Sequence, residues 1–438
     1  MTGSVNPDGA NSESAISDTG NSSGGSSSSD GRPVIVQKYG GSSLADATLI
    51  HNAATRICAR KDDGTDVIAV VSAMADSTDE LIALAQAVTG EAAPDLREMD
   101  TLLSTGELVS STLMAMALKA RGYDAISLSG GQAGIKTDTV HGSARIAEIR
   151  TDRLRRELDQ GRIVIVAGFQ GLADSGDITT LGRGASDTTA VALAVAMQAE
   201  RCEIYTDVEG IYTTDPQLTD RARKLAEIGF LEMLEMAVLG AKMNPRSIEL
   251  GAVYNMPIYV ASSFSDEPGT LIHGGEHTME VRKAVTGIAV DRNVGKITVR
   301  GVKDRPGVAA GLLQPLADAE ISIDVILQNT SADGTTDFTF TVAQVDVETA
   351  AEITRNQSNV EFAEVVSGSD LAKVSIVGTG MENAPGYAAR MFSTLAQAGV
   401  NIDMITTSEI RITTIIERDQ VQNAVRALHD AFELEKTE

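Results

Sequence analysis

From Pro33 onward, short β-branched runs alternate with longer Ala- and Leu-rich amphipathic stretches, and this alternation is the strongest pattern in the chain. The clearest runs are Val34 to Val36, Val67 to Val71, Ile163 to Ala167 and Cys202 to Thr206. A strand covered on both faces reads as a compact apolar run, whereas a strand with one wet face alternates residue by residue. Parallel neighbours need a crossover, and the amphipathic stretches are long enough to supply it as helices. The pattern therefore predicts an α/β fold for residues 33–275, a mostly parallel sheet sandwiched by helices. Pro268, Gly269, Gly274 and Gly275 cluster at its end.

Residues 276–295 read as a linker, and beyond them the chain repeats itself. "KITVRGVKDRPGVAAGLLQPLADAEISIDVI", Lys296 to Ile326, resembles "KVSIVGTGMENAPGYAARMFSTLAQAGVNIDMI", Lys373 to Ile405, with a two-residue insertion before the second Pro-Gly. Each copy reads as a strand, a Pro-Gly turn that opens a helix at Pro306/Gly307 or Pro385/Gly386, and a second strand, Ile321 to Ile326 or Val400 to Ile405. Two copies are too few for a solenoid, so the expectation is a pair of small α+β modules, 296–368 and 369–438. At the other end, residues 1–32 are dominated by Ser, Gly, Asn and Asp, including Gly24 to Ser29, and are expected to form a disordered tail.

Composition narrows the partners. The 438 residues carry 36 Lys and Arg against 61 Asp and Glu, a formal charge of −25, which argues against nucleic acid or an anionic membrane as ligand. No uninterrupted apolar stretch approaches the roughly 18 residues of a membrane span, and the N-terminus lacks the basic-then-apolar signal pattern, so a cytoplasmic location is expected. Cys58 and Cys202 sit singly inside apolar segments and read as buried fillers. His51, His141 and His429 stand apart, and His273 with His277 lies in a Gly-rich stretch, so no protein metal site is expected.

Against so acidic a background, the glycine-rich turns that carry a cation are the informative ones. "KYGGSSL", Lys38 to Leu44, follows a strand and precedes a helical segment near Ala45. Its glycines let backbone N–H groups approach an anion and Lys38 can bridge a phosphate, although an ordinary strand-to-helix turn would look the same. "TTLGRGASDTTAVALAVAM", Thr179 to Met197, runs from a Gly-Arg-Gly loop into an apolar helix. Arg183 can grip a carboxylate bidentately, while Ser186 or Asp187 could simply cap the helix. "YTDVEGIYTTDP", Tyr205 to Pro216, places Thr206, Asp207 and Tyr212 at the carboxyl end of a strand, where open α/β sheets take nucleotides, and also reads as a plain Asp/Gly turn. In "GAKMNPRS", Lys242 ends a Leu/Met-rich helix and can either screen its dipole or reach phosphate. Glu107, beside Gly106 in an apolar helical segment, can face solvent or a pocket.

These motifs in this order, with the paired C-terminal repeats, resemble the aspartate kinases of the amino acid kinase superfamily, from Val34 to the C-terminus. The chain looks most like the monofunctional type with two ferredoxin-like ACT domains. The resemblance implies transfer of the γ-phosphoryl group of ATP, with Mg²⁺ bound mainly through the nucleotide, onto the side-chain carboxylate of aspartate in lysine, threonine and methionine biosynthesis. It implies that Lys38 stabilises the transferring group, oriented by Asp187, while Gly40, Gly41 and Ser42 hold phosphate oxygens. Glu107 would take the aspartate ammonium and Arg183 its α-carboxylate, with Ser72, Thr78 and Ser186 as lesser contacts. Thr206, Asp207, Tyr212, Gln217 and Lys242 would form the nucleotide site. Two departures are visible: Gln217 stands where many members have Arg, and Asn244 where many have His. Asp304, Gln328, Asn329 and Asp337 in the first repeat, with Asn401 and Glu409 in the second, match inhibitor-contacting regions. Lysine and threonine would be the inhibitors, and assembly through the ACT pairs would give a homo-oligomer or an α2β2 form, with Met279 near a possible internal start. The alternatives are another amino acid kinase and a catalytically silent amino-acid sensor built on the same scaffold.

Overall fold

The computed structural model of the protein describes residues 32–275, 284–330, 334–381 and 384–436. The tail expected over 1–32, save Arg32, together with His277 and Met279, lies outside the described residues.

The first region opens with strand β1 (Val34–Tyr39), helix α1 (Ala47–Asp62) and β2 (Asp66–Val71), followed by α2 (Ser77–Thr89), α3 (Leu96–Ala120) and β3 (Ala125–Leu128). Then come β4 (Ile135–Thr137), β5 (Ile146–Ile149), α4 (Asp152–Asp159), β6 (Ile163–Ala167), β7 (Gln170–Ala173) and β8 (Ile178–Thr180). It finishes with α5 (Ser186–Met197), β9 (Arg201–Thr206), β10 (Glu227–Gly229), α6 (Phe230–Val238), α7 (Pro245–Tyr254), β11 (Ile258–Ser262) and β12 (Thr270–His273). Eight of these strands form one sheet in the order β10-β12-β11-β9-β1-β2-β6-β3, and β5-β4-β7-β8 form a small second sheet. In the large sheet all neighbours run parallel except β11 and β12.

Period-two geometry on β1 decides where the chemistry goes. Val36 packs into the core shared with Val191 and Ala194 of α5, whereas Tyr39 packs into the core shared with Met114 and Leu118 of α3. Lys38 stands an even number of residues from Val36, so its side chain leaves the sheet on the α5 face. Burying each of these apolar side chains stabilises by roughly 1.5–3 kcal/mol, which fixes the strand's register far more firmly than its surface contacts do.

Helix α3 has the length and apolarity of a membrane span, yet half of its apolar window is buried inside the protein. Its buried positions Asp100, Ser104, Glu107, Ser111, Met114 and Leu118 recur at three- and four-residue spacing. That is one helix face turned to the core, apolar at its end and polar at its beginning.

The second region consists of β13 (Gly287–Lys303), α8 (Val308–Asp318), β14 (Ile326–Thr330), β15 (Thr335–Val342), α9 (Val347–Arg355), β16 (Glu364–Val377), α10 (Tyr387–Gln397), β17 (Met404–Thr407), β18 (Arg411–Glu417) and α11 (Val421–Ala431). One antiparallel sheet holds all its strands in the order β14-β15-β13-β16-β18-β17. Both Pro-Gly turns open a helix as read, because Gly307 and Gly386 occupy positive φ of 94° and 107° directly before α8 and α10. Two expectations change. The stretch taken as linker, 276–295, is strand from Gly287 on, and its residues 287–294 pair with β16 residues 371–377. The second strands start later than expected, at Ile326 and Met404: the Asp324 and Val325 N–H groups are taken by the Thr341 carbonyl and hydroxyl, which holds the chain just before β14 in place.

Candidate active site

The carboxyl ends of β1, β2, β6 and β9 lie side by side, and the chain leaves β1 toward β2 on one side while β9 lies on the other. Such a reversal opens a crevice at the strand ends. Into it come the turn after β1, the loop after β8 that starts α5, and the loop after β9.

Lys38 Nζ lies 2.7 Å from the Asp187 carboxylate, and each side chain is 12% exposed. Asp187 is in the first turn of α5, but neither it nor Ser186 caps the helix, since Ala185 occupies that position without a side-chain hydrogen bond. The capping explanation therefore fails and the carboxylate is spent on Lys38 instead. Beyond Lys38, Gly40 donates its N–H to the Tyr205 carbonyl of β9, and residues Gly41–Leu44 form a short 3-10 turn before α1, whose cap is Asp46. A Cβ on Gly41 would sit 2.7 Å from the Ala73 carbonyl oxygen, so only glycine permits this approach of the β1 and β2 turns.

Ala73 also donates its N–H to Glu107 Oε1 at 3.0 Å, linking that turn to α3. Glu107 is 4% exposed, and its Oε2 is buried without a hydrogen-bond partner among the described residues. Burial pushes its carboxyl up to about 7, against the pull of the Ala73 N–H. A buried carboxyl with one oxygen committed and one open is a binding group waiting for a donor. Ser72 and Thr78 are half-buried, the first after β2 and the second in the first turn of α2.

Arg183 differs from these. Its side chain is 79% exposed and pairs with Asp79 of α2, while Gly182 and Gly184 on either side hold φ of 92° and 75°. The loop is fastened elsewhere. Thr180 donates to the buried Asp100 carboxylate of α3, which also accepts from Gly142 N at 3.1 Å and lies 2.7 Å from His141 Nδ1. From the other side, Arg246 of α7 donates to the Leu181 carbonyl at 2.6 Å and the Ala144 carbonyl at 3.2 Å. Sequence reasoning missed Asp100 and Arg246. The signal for Asp100 was present, since stepping back from Leu118 and Met114 by threes and fours lands on it.

Past β9, Thr206 Oγ1 donates to Asp207, and Lys242 Nζ lies 2.5 Å from the same carboxylate. Burial alone would raise the Asp207 carboxyl, but the Lys242 ammonium outweighs it and holds it below the usual range. Lys242 does not end a helix, because α6 stops at Val238 and Lys242 lies beyond it. Tyr212 donates to Glu209 at 3.2 Å, and Gln217 N–H donates to Asp215 in a tight turn. Tyr212, Gln217 and Lys242 line a cavity of about 520 Å³ whose remaining wall includes Ile288 to Asn293 of β13. Asn244, one of the two departures, caps α7 and reaches the Arg183 carbonyl at 3.5 Å.

In the second region, Asn329 faces Asp337 across β14 and β15, Asp337 accepts from Gly301 N, and Asp304 N donates to the Gly334 carbonyl. Asp304, Gln328, Asn329, Asp337, Asn401 and Glu409 are all exposed.

The chain matches the amino acid kinase family over residues 33–262 and the ACT domain twice, over 297–365 and 374–432. It is 49% identical over 407 residues to an aspartokinase of Corynebacterium glutamicum, covering 92% of this chain and 96% of that one. To an aspartate kinase of Pseudomonas fluorescens it is 48% identical over 404 residues, covering 92% and 98%. Its structure is similar to Escherichia coli aspartokinase III in complex with aspartate and ADP, at TM-score 0.77 and 27% identity over 91% of this chain and 99% of that one. The same enzyme in complex with lysine and aspartate, its T-state, matches at TM-score 0.73 and 27% identity over the same shares of the two chains.

Proposed function

The chain belongs to the amino acid kinase family and, within it, to the aspartokinases, and from that premise we infer that it phosphorylates L-aspartate on the side-chain carboxylate with ATP, under ACT-domain control. One observation carries the assignment of roles: the half-committed Glu107 carboxyl and the Lys38–Asp187 pair open on the same turns, Gly40–Gly41 and Ala73, at the carboxyl edge of the sheet.

An aspartate carboxylate is already a nucleophile, so no general base is required. Its oxygen attacks the γ-phosphorus in line, the bond to the bridging oxygen of ADP breaks, and ADP leaves with the electron pair. What remains for the protein is positioning and charge neutralisation. Lys38, held by Asp187, neutralises the transferring phosphoryl oxygens, and the N–H groups of Gly41 and Ser42 hold phosphate, while Gly40, whose N–H is given to the Tyr205 carbonyl, shapes the turn that presents them. Glu107 takes the substrate ammonium and Arg183 its α-carboxylate, leaving Asp79, with Ser72, Thr78 and Ser186 around them. Thr206, Asp207, Tyr212, Gln217 and Lys242 receive the nucleotide. Asp187 and Asp207 are each engaged by a lysine, so Mg²⁺ fits here as a companion of the nucleotide, held by phosphate oxygens with Asp207 the exposed carboxylate beside it. When bound, the ion neutralises charge on those oxygens.

The effectors are lysine, as supported by the lysine-bound relative, and threonine acting with it. The outer strands β14 and β17 leave an unpaired edge on each side of the regulatory sheet among the described residues, which suits assembly into a homo-oligomer or α2β2 form. The cytoplasm, where ATP and aspartate are both present, is the proposed location.

The test is trapping of the acyl phosphate. With MgATP, aspartate and hydroxylamine the protein forms aspartyl hydroxamate; Lys38→Ala lowers the rate by about 10³-fold or more with the fold intact; and lysine with threonine suppresses it more than either alone. Hydroxamate formation that is unchanged in the Lys38 variant would overturn the assignment.

A further inference from the structure

The Arg183 side chain is 79% exposed on its loop, yet it must deliver a guanidinium to a fixed point relative to Glu107. Its own glycines cannot do this, because positive-φ glycines widen the range of conformations instead of narrowing it. The geometry points to Asp100. This carboxylate is 1% exposed and gathers Thr180 Oγ1, Gly142 N–H and His141 Nδ1, so it ties the residue three before Arg183 to helix α3. Glu107 is on the same face of α3, seven residues along, or about 10 Å up the helix axis. One rigid element thus carries the anchor of the α-carboxylate ligand's loop near its start and the ammonium ligand two turns further on.

We propose that Asp100 is a positioning residue that sets the spacing between Arg183 and Glu107 through Thr180, and so sets which length of amino-acid dicarboxylate is accepted. The proposal rests on the roles assigned above to Arg183 and Glu107. A carboxylate suits the task better than an amide because it accepts from every donor present, and buried charge-assisted hydrogen bonds are short and directional.

The test measures kcat and KM for aspartate, ATP and glutamate in Asp100→Asn, Thr180→Val, Arg183→Ala and the Asp100→Asn/Arg183→Ala pair, each as the full chain. Asp100→Asn is expected to raise KM for aspartate about 10-fold, to change kcat less than about 3-fold and KM for ATP less than about 2-fold, and to narrow the preference for aspartate over glutamate. In the double variant the two effects are less than multiplicative, since both act through one guanidinium. Thr180→Val reproduces the aspartate effect, and carries the test if Asp100→Asn does not fold. A lowered melting temperature with unchanged KM, or effects that multiply, overturns the positioning role. If Arg183→Ala alone leaves KM for aspartate unchanged, the assignment of Arg183 falls and this proposal falls with it, an outcome distinct from failure of Asp100 alone.

Discussion

The two sides of the same crevice are built to different standards. On the proposed substrate side, Glu107 is 4% exposed and Lys38 and Asp187 are 12% exposed, each oriented by the strand or helix behind it, with Arg183, 79% exposed on its glycine loop, as the exception. On the nucleotide side, Lys242 and Asp207 are 58% and 41% exposed, on loops after β9 and α6. In the buried half a single charge is expensive to leave unpaired and its protonation is pliable; in the exposed half water screens every pair. With the roles proposed above, the buried residues of the substrate side would hold its specificity in a few large terms, and the nucleotide side would hold its own in many small ones.

Glu107 is the strongest way to break this comparison. Its carboxyl is raised from about 4.5 to about 7 in the folded protein, so between those values the native state binds a proton that the unfolded chain has released. Stability then falls as pH rises through that window, by on the order of 3 kcal/mol, and is flat above it. Glu107→Gln should abolish the dependence, as melting curves from pH 5 to 8 without substrate would reveal. Because the ammonium of aspartate needs the ionised form, KM for aspartate should climb in wild type as pH drops below about 7. In the Gln variant it should be roughly 10- to 100-fold higher at pH 8 and nearly pH-independent. A wild-type enzyme whose stability and KM ignore pH across this range would put Glu107 among solvated carboxylates.

How much of this arrangement the sequence announces depends on how local it is. The parallel α/β region was readable because a buried strand and a crossover helix each have their own period, and the turns at Gly40–Gly41 and Gly182–Gly184 announce themselves by composition. Lys38 and Asp187, 149 positions apart, were associated by family resemblance; the side from which Lys38 leaves β1 follows from period two, but its partner does not. The exposure of Arg183 and its pairing with Asp79 were not readable, nor was the double role of β13. Alternation tells which face of a strand is buried, never which strand lies next to it, so residues 287–294 looked like linker although they pair with β16, and Ile288 to Asn293 wall the cavity lined by Tyr212, Gln217 and Lys242.

That wall sharpens the comparison, because it means the loose side of the crevice borrows order from the regulatory sheet. Thr213, fully buried in the loop between Tyr212 and Gln217, is 3.0 Å from His429 Nε2 of α11, accepts from Arg223 N at 3.0 Å, and its carbonyl accepts from Ile288 N at 2.7 Å. Thr213→Val keeps the shape and removes the hydroxyl, leaving the buried His429 Nε2 and the part-buried Arg223 N–H without it at a cost of about 1–3 kcal/mol. The melting temperature should fall by a few degrees. KM for ATP should rise about 3-fold while KM for aspartate stays put. Equal shifts in both constants would mean that the two sides are one unit.

Lys242→Ala is the mildest probe and tests the exposed half directly. The Lys242–Asp207 pair is worth roughly 0–1 kcal/mol at such exposure, so stability should change by less than about 0.5 kcal/mol in denaturant titrations. Loss of one screened cation facing a polyphosphate should raise KM for ATP by about 2- to 5-fold at low salt, with kcat for aspartate phosphorylation preserved. The difference from wild type should shrink as salt is added, since the Debye length falls to about 3 Å at 1 M. A loss of 100-fold that persists in high salt would require Lys242 to act from a desolvated position, and the contrast between the two sides of the crevice would disappear.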